Sequence, residues 1–312
     1  MREVMPVPIH PDTRMGPVHL TVADLNRSRL FYGDVLGMQT VSRGSGAALL
    51  AAAQDDPPNV LVMLTESPGA RPQPARTIGL YHFAILMPTR AALARSLRRL
   101  IETRYRLHGA SDHLVSEALY LDDPDGHGIE LYADRPRDRW QTVRGRIAMA
   151  TEPLDLDDLL TEASPEAPGQ PFALDPATRI GHIHLHVSSL ELAETFYHGA
   201  LGFEVTQRDY PGALFLAAGG YHHHIGTNIW AGAGAPRPPA GSAGLREFTV
   251  VVPDDTELQA VLARLRAGGA EPARTPEGWR VPDPSSGVDL IITAARRASA
   301  RVAPAHPVAE TF

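Results

Sequence analysis

Apolar and polar residues alternate over Val18-His19-Leu20-Thr21-Val22, the period-two pattern of a half-buried strand. A polar start at Asp24 follows, then an amphipathic stretch over 28–36 that ends on Gly37. That spacing predicts a helix with glycine as its C-terminal stop. Three further strands are expected near 39–42, 47–52 and 60–64. The same order returns at once. A strand over 80–87 leads to a helix over 90–102 and then to strands over 117–121 and 128–132. Each unit reads βαβββ.

The pattern is a repeat at a larger scale as well. Ile183-His184-Leu185-His186-Val187 lies 165 residues beyond Val18-His19-Leu20-Thr21-Val22, and the offset persists. Leu25 matches Leu190, Phe31-Tyr32 matches Phe196-Tyr197, and Leu36-Gly37 matches Leu201-Gly202. Further on, Ala48 matches Ala213, Gly79-Leu80 matches Gly244-Leu245, and Phe83 matches Phe248. One register held through so many identities is a duplication. The halves run from about 14 to 135 and from 179 to 296. The third unit spans 181–230, with a helix over 190–201, and the fourth spans 245–293. The fold class is therefore α+β: four βαβββ modules forming two domains. Residues 136–178 read as a Pro- and acid-rich linker wrapping the surface, with a short helix over 154–160. The tail at 297–312 reads as frayed.

Composition narrows the chemistry. A net charge of −7 disfavours nucleic acid and anionic membranes as partners. The chain has no cysteine, so a metal site must be built from His, Asp or Glu. Met1 to Met15 carries Pro6, Pro8 and Pro11 with no apolar run, which is not a secretory signal. No run of about 18 apolar residues is present, so no membrane span is expected. A soluble cytoplasmic protein, with homo-oligomerisation left open, is the expectation.

The βαβββ repeat, with His on a first strand and Glu on a last, resembles the vicinal oxygen chelate superfamily. That superfamily includes glyoxalase I, fosfomycin-resistance proteins and type I extradiol ring-cleavage dioxygenases. The resemblance covers the chain apart from linker and tails. Residues 112–130 are more specific: His113, Leu119-Tyr120, Asp123-Pro124, Gly126 and Glu130 are spaced as in the extradiol dioxygenase signature. Ser111 departs from it, where the family prefers Gly, Asn, Thr or a β-branched apolar residue. Tyr221-His222-His223-His224, with Asn228 and Trp230 beyond, is similar to a bacterial catechol 2,3-dioxygenase subgroup.

The resemblance implies an Fe(II)-dependent enzyme that opens a catechol-type ring with O₂ to give a semialdehyde, as in aromatic-compound catabolism. Two histidines and one carboxylate would hold the metal. His82 and Glu130, on the first and last strands of unit two, fill two of those positions. The third is His19 if units one and two pair, or His184 if units two and three pair. His184 is favoured because unit three also brings the histidine run. His19 would then be a relic, or part of a degenerate second site with Glu247 and Asp289. Side-chain alternation back from Asn228 turns His224 and His222 inward and His223 away. His224 becomes the candidate acid/base. His113 and Tyr120 would bond to the substrate oxygens. His186 shares a face with His184 and could orient ligand or substrate. The rival readings are a metal-dependent isomerase or thiol transferase of the glyoxalase I type, and a non-catalytic small-molecule-binding resistance protein.

Overall fold

The computed structural model describes residues 7–55, 57–143, 145–163 and 171–295. The expected tail at 297–312, and linker positions 144 and 164–170, lie outside the described residues.

Unit one consists of β1 (Arg14–Val22), α1 (Leu25–Leu30), β2 (Gln39–Gly44), β3 (Ala47–Ala51) and β4 (Val60–Glu66). Unit two consists of β5 (Gly79–Met87), α2 (Arg90–Glu102), β6 (Gly109–Asp112), β7 (Ser116–Asp122) and β8 (Gly128–Asp134). The linker contributes β9 (Thr142–Val143), β10 (Arg146–Ile147), β11 (Glu152–Pro153) and α3 (Leu156–Thr161). Unit three has β12 (Arg179–His186), α4 (Leu190–Glu194), β13 (Glu204–Gln207), β14 (Ala213–Ala217) and β15 (Ile225–Asn228). Unit four has β16 (Gly244–Val252), α5 (Asp255–Ala267), β17 (Ala273–Arg274), β18 (Trp279–Pro282) and β19 (Asp289–Ala294). The four βαβββ modules expected from the pattern are all present.

Helix starts are capped by side chains. Asp24, Thr89, Ser189 and Asp254 each accept a hydrogen bond from the backbone N–H three residues on, which satisfies one of the free donors of the first turn. The helices expected over 28–36 and 190–201 begin as α-helix but widen to π-type turns at Phe31–Val35 and Thr195–Ala200. Both then stop at a glycine with positive φ, +75° at Gly37 and +91° at Gly202.

The sheets do not follow the halves of the sequence. One is eight-stranded, in the order β17-β18-β19-β16-β1-β4-β3-β2. The other is nine-stranded, in the order β11-β6-β7-β8-β5-β12-β15-β14-β13. Units one and four thus share a sheet, and units two and three share the other. The segments 14–135 and 179–296 each give one unit to each sheet, so neither is a separately closed sheet. The central joins are antiparallel, β1 to β16 and β5 to β12. The sheets meet through these central strands, β1 against β12 and β16 against β5.

Parity along the strands decides what each residue does. On β5, β8 and β12 the odd-numbered Phe83, Ile85, Ile129, Leu131, Ile183 and Leu185 enter the main core beneath the helices. The even-numbered Ala84, Leu86 and Tyr132 form a small separate cluster on the opposite face. That second face is the inside of the cup. These strands are buried on both sides, which is why they read as nearly continuous apolar runs broken by histidine and glutamate.

Two buried tyrosines bolt the sheets together. Tyr32, from unit one, donates to Asp123 of unit two at 3.0 Å. Tyr197, from unit three, donates to Asp283 of unit four at 2.8 Å. Asp123 also accepts from the backbone N–H groups of Asp125 and His127 and from His127 Nδ1, at 2.8, 3.0 and 2.7 Å. Burial pushes the Asp123 carboxyl up, but His127 and these hydrogen bonds outweigh it and hold the group below its ordinary 3.8.

Two outcomes follow. Replacing Tyr32 by Phe should lower the unfolding free energy by about 2 kcal/mol, the worth of a hydrogen bond to a charged group, in urea titrations at pH 7. The stabilisation from Asp123 is complete above pH 3.8 and is lost as pH falls below it, because the folded pKa is the lower one. An Asp123→Asn variant should therefore lose its deficit against the parent as the pH of the titration falls through that value.

Candidate metal centre and active-site pocket

Strands β8, β5 and β12 lie side by side, and their register builds the centre. Glu130 is opposite Ala84 in the parallel β5–β8 pair. His182 is opposite the same Ala84 in the antiparallel β5–β12 pair. Alanine at 84 leaves room for the carboxylate and the imidazole to meet above it. His182 Nε2 is 3.1 Å from Glu130 Oε2, and His82 Nε2, from two residues earlier on β5, is 3.0 Å from the same oxygen. One ligand atom from each of His82, Glu130 and His182 falls within a 4.8 Å cluster, and all three residues are buried. His82 Nε2 has no hydrogen-bond partner despite its burial. It stands beside Glu130 Oε2 without hydrogen-bonding geometry, a place open to a metal ion. Two imidazoles and a carboxylate are an ordinary donor set for a catalytic transition metal.

The electrostatics prepare these groups for a cation. Burial alone would raise the Glu130 carboxyl. The imidazoles of His182 and His82 beside it override burial and hold Glu130 well below the usual carboxylate range. Burial pushes His182 down to about 4 against the pull of Glu130. The site therefore presents a carboxylate and a neutral imidazole at pH 7, the forms that bind metal.

The third position is corrected from His184 to His182. His184 stands directly opposite His82 and lines the pocket, but its Nε2 is occupied. Asn228 Nδ2 donates to it at 3.0 Å. The amide is oriented by its oxygen, which accepts from His186 Nδ1 at 2.7 Å and from the Trp230 N–H at 3.0 Å. His186 thus acts two bonds away, by turning Asn228. The duplication misdirected the choice: His184 matches His19 at the 165-residue offset, whereas His182 matches Pro17 and has no counterpart. Backbone space is needed too. A Cβ at Gly181 would lie 1.8 Å from the Tyr132 hydroxyl oxygen, so only glycine lets β12 sit this close to β8's side chains.

His19 belongs to the other sheet. Its Nδ1 is 3.1 Å from Glu247 Oε1 and its Nε2 is 2.8 Å from Thr65 Oγ1. Arg280 donates to Glu247 Oε2 at 3.0 Å and lies 3.6 Å from Asp289. Arg280 thus pairs with both carboxylates that were expected beside His19 in a second site.

The pocket over the triad has a volume of about 300 Å³. His113 and Tyr120 line it and are bonded to each other at 2.7 Å. His113 Nδ1 lies 2.7 Å from the Ala150 carbonyl oxygen. A carbonyl only accepts, so Nδ1 carries the proton and the neutral ring's Nε2 accepts from the Tyr120 hydroxyl. Burial, then the charge of Glu130, raises the Tyr120 phenol well above its ordinary value. Ala150 comes from the linker, so the segment expected to wrap the surface instead completes the pocket wall.

The expectation for His224 is also corrected. Strand β15 starts only at Ile225, so alternation cannot be counted back through 222–224. His224 Nδ1 accepts from the Ala218 N–H at 3.2 Å, away from the cavity. Burial, then neighbouring His222 and His182, pushes it down to about 3. His223 lines the pocket instead, its ring centroid 4.1 Å from that of His182. His222 bridges outward: Nε2 donates to Asp134 at 3.0 Å, and its Nδ1 meets His223 Nδ1 at 2.8 Å.

The comparisons agree with this architecture. The model of the glyoxalase/bleomycin resistance protein/dioxygenase superfamily matches residues 14–131 and 179–279. A catechol-2,3-dioxygenase of Bacillus subtilis is 48% identical over 283 residues, covering 89% of this chain and 96% of that protein. This chain belongs to that superfamily, on its dioxygenase branch. It is thus an oxidoreductase with a metal cofactor. The folds of two solved structures are similar: a candidate dioxygenase of Bacillus subtilis (TM-score 0.61, 15% identity, 91% and 86% of the two chains) and glyoxalase I of Zea mays (TM-score 0.54, 18% identity, 90% and 92%). Among the described residues no helix is long and apolar enough to cross a membrane.

Metal content separates the two histidines. His182→Ala should lower metal affinity by roughly a hundredfold or more, beyond the effect of losing a group that only supports a ligand. His184→Ala should retain most of the bound metal. Elemental analysis after dialysis of the two variants checks both.

Proposed function

We propose that this protein is an Fe(II)-dependent extradiol dioxygenase that opens a catechol-type ring beside its diol, using both atoms of O₂, to give a ring-opened semialdehyde. The observation that carries the reading is the triad of His82, His182 and Glu130, of which His82 and Glu130 line a pocket that also holds the Tyr120–His113 pair. The kinship with a catechol-2,3-dioxygenase supports it. When bound, ferrous iron would hold diol and O₂ side by side and pass electron density from the ring to the oxygen.

The chain's own groups handle the protons. Tyr120 is a neutral phenol in a buried setting and donates to His113 Nε2. A catechol hydroxyl arriving at Tyr120 finds an acceptor oxygen whose proton already points elsewhere. A proton leaving the diol would pass to the Tyr120 oxygen as the Tyr120 proton passes to His113 Nε2, and the Ala150 carbonyl keeps His113 in the tautomer this requires.

His223 takes the place first expected for His224. Asp134 accepts from His222 Nε2, and His222 Nδ1 meets His223 Nδ1 at 2.8 Å, which leaves Nε2 of His223 for the cavity. Burial, then the neighbouring histidines, holds this imidazole well below its ordinary value. It meets the reaction neutral, as a proton acceptor at Nε2, and can return that proton to an oxygen of the ring-opened product.

Protein loaded anaerobically with Fe(II) and mixed with catechol in air should consume one O₂ per ring and produce a yellow product. Absence of O₂ uptake across a panel of catechols and hydroquinones overturns the reading. His223→Gln should lower kcat by roughly a hundredfold or more while iron content stays at the parent level.

A further inference from the structure

The pocket has a feature that ring opening itself does not call for. Tyr81, Tyr210 and Trp230 are 41%, 38% and 44% exposed, high values for large aromatic residues, and all three line the same cavity. Their rings touch. Tyr81 meets Trp230 edge-on at 5.4 Å, and Tyr210 lies 6.1 Å from both Trp230 and Phe215. The series runs inward without a break, because Trp230 and Phe215 lie 5.5 and 5.6 Å from His184, which faces His82. An aromatic wall therefore reaches from the ligand row to solvent. Such a contiguous patch marks a binding surface, and its continuity with the cavity makes a small molecule the occupant.

Charge and size narrow that molecule. Among the residues lining the cavity, Glu130 is the single carboxylate and no lysine or arginine is present. Arg146, on the adjoining linker, is committed to Asp209 at 2.7 Å and lines a neighbouring cavity. A carboxylate or phosphate on the substrate would lose its water and gain no cationic side chain among the described lining residues. The volume of about 300 Å³ reaches the lower end of cavities that hold drug-sized ligands, roughly 300–1,000 Å³. A bare dihydroxybenzene leaves most of it unfilled.

We propose that the substrates are uncharged catechols bearing an aryl or alkyl group, with the diol over the triad and the substituent stacked on Tyr210, Trp230 and Tyr81. This rests on the ring-cleavage reading above. Met149 and Val115, which also line the cavity, add apolar contact for the same substituent.

The test uses metal-loaded protein without O₂, with binding measured by calorimetry. The probes are catechol, 3-phenylcatechol, 4-tert-butylcatechol and 3,4-dihydroxybenzoate. O₂ consumption is then measured with the same four. 3-Phenylcatechol should bind at least about tenfold more tightly than catechol, the gain from stacking added to apolar burial, and the benzoate more weakly than catechol. Trp230→Ala should shrink the ratio between 3-phenylcatechol and catechol, with unfolding temperature and metal content checking that the variant folds. Equal binding of the four probes, or a preference for the benzoate, overturns the proposal. A change of oligomeric state in Trp230→Ala with no change of the ratio also overturns it, by assigning the patch to a second copy of the chain. If the aryl preference is found but no probe consumes O₂, the ring-cleavage reading falls and the apolar-ligand assignment stands.

Discussion

The antiparallel join of β5 and β12 is the constraint on which the rest depends. It brings together two segments about a hundred residues apart in the chain. Without it, Glu130 and His82 would face solvent on the edge of a half-sheet, and His182 would have no partner. The join also sets register at single-residue resolution. Small Ala84 is flanked by Glu130 and His182, while His82 is flanked by His184. A slip of one residue would turn every inward histidine into the main core.

Around that join, hydrogen bonds decide which nitrogens are available. Asn228 occupies His184, Ala150 fixes His113, and Asp134 through His222 fixes His223. Each arrangement ends on a group that can only accept, or on an amide held in one orientation. The imidazoles around the cavity thus differ in role although they are chemically alike. His82 and His182 turn Nε2 toward Glu130 Oε2, and His223 faces the cavity. Burial lowers His182, His184 and His223 together, so the cluster avoids the mutual repulsion that several imidazolium ions would create.

Much of this could be read from the residues. Alternation around Val18 and in 80–87, the glycine stops at Gly37 and Gly202, and the 165-residue repeat led to four modules. His82 and Glu130 followed from their strand positions. The third ligand was harder, because alternation leaves His182, His184 and His186 on one face. Only the cross-strand register and the Asn228 amide distinguish them. Both are long-range facts. The register used instead, from the internal repeat, favoured the histidine with a twin and missed the one without. For His224 the error was local: the strand was extended backward through residues that form no strand. The π-type widening of the first-unit helices left no mark in the apolar spacing, since it keeps Tyr32 and Tyr197 buried just as an α-helix would.

The exchange of units between sheets has a consequence for how such a chain arises. A polypeptide of half this length could complete neither sheet alone. Two copies would complete both, in a symmetric dimer with two equal cups. Joining the copies end to end releases them from that equality. Here one cup assembled a metal triad, and the other let Arg280 and Glu247 close over the remaining histidine, His19. Through β1 against β12 and β16 against β5, the eight-stranded sheet also buttresses the join on which the triad depends.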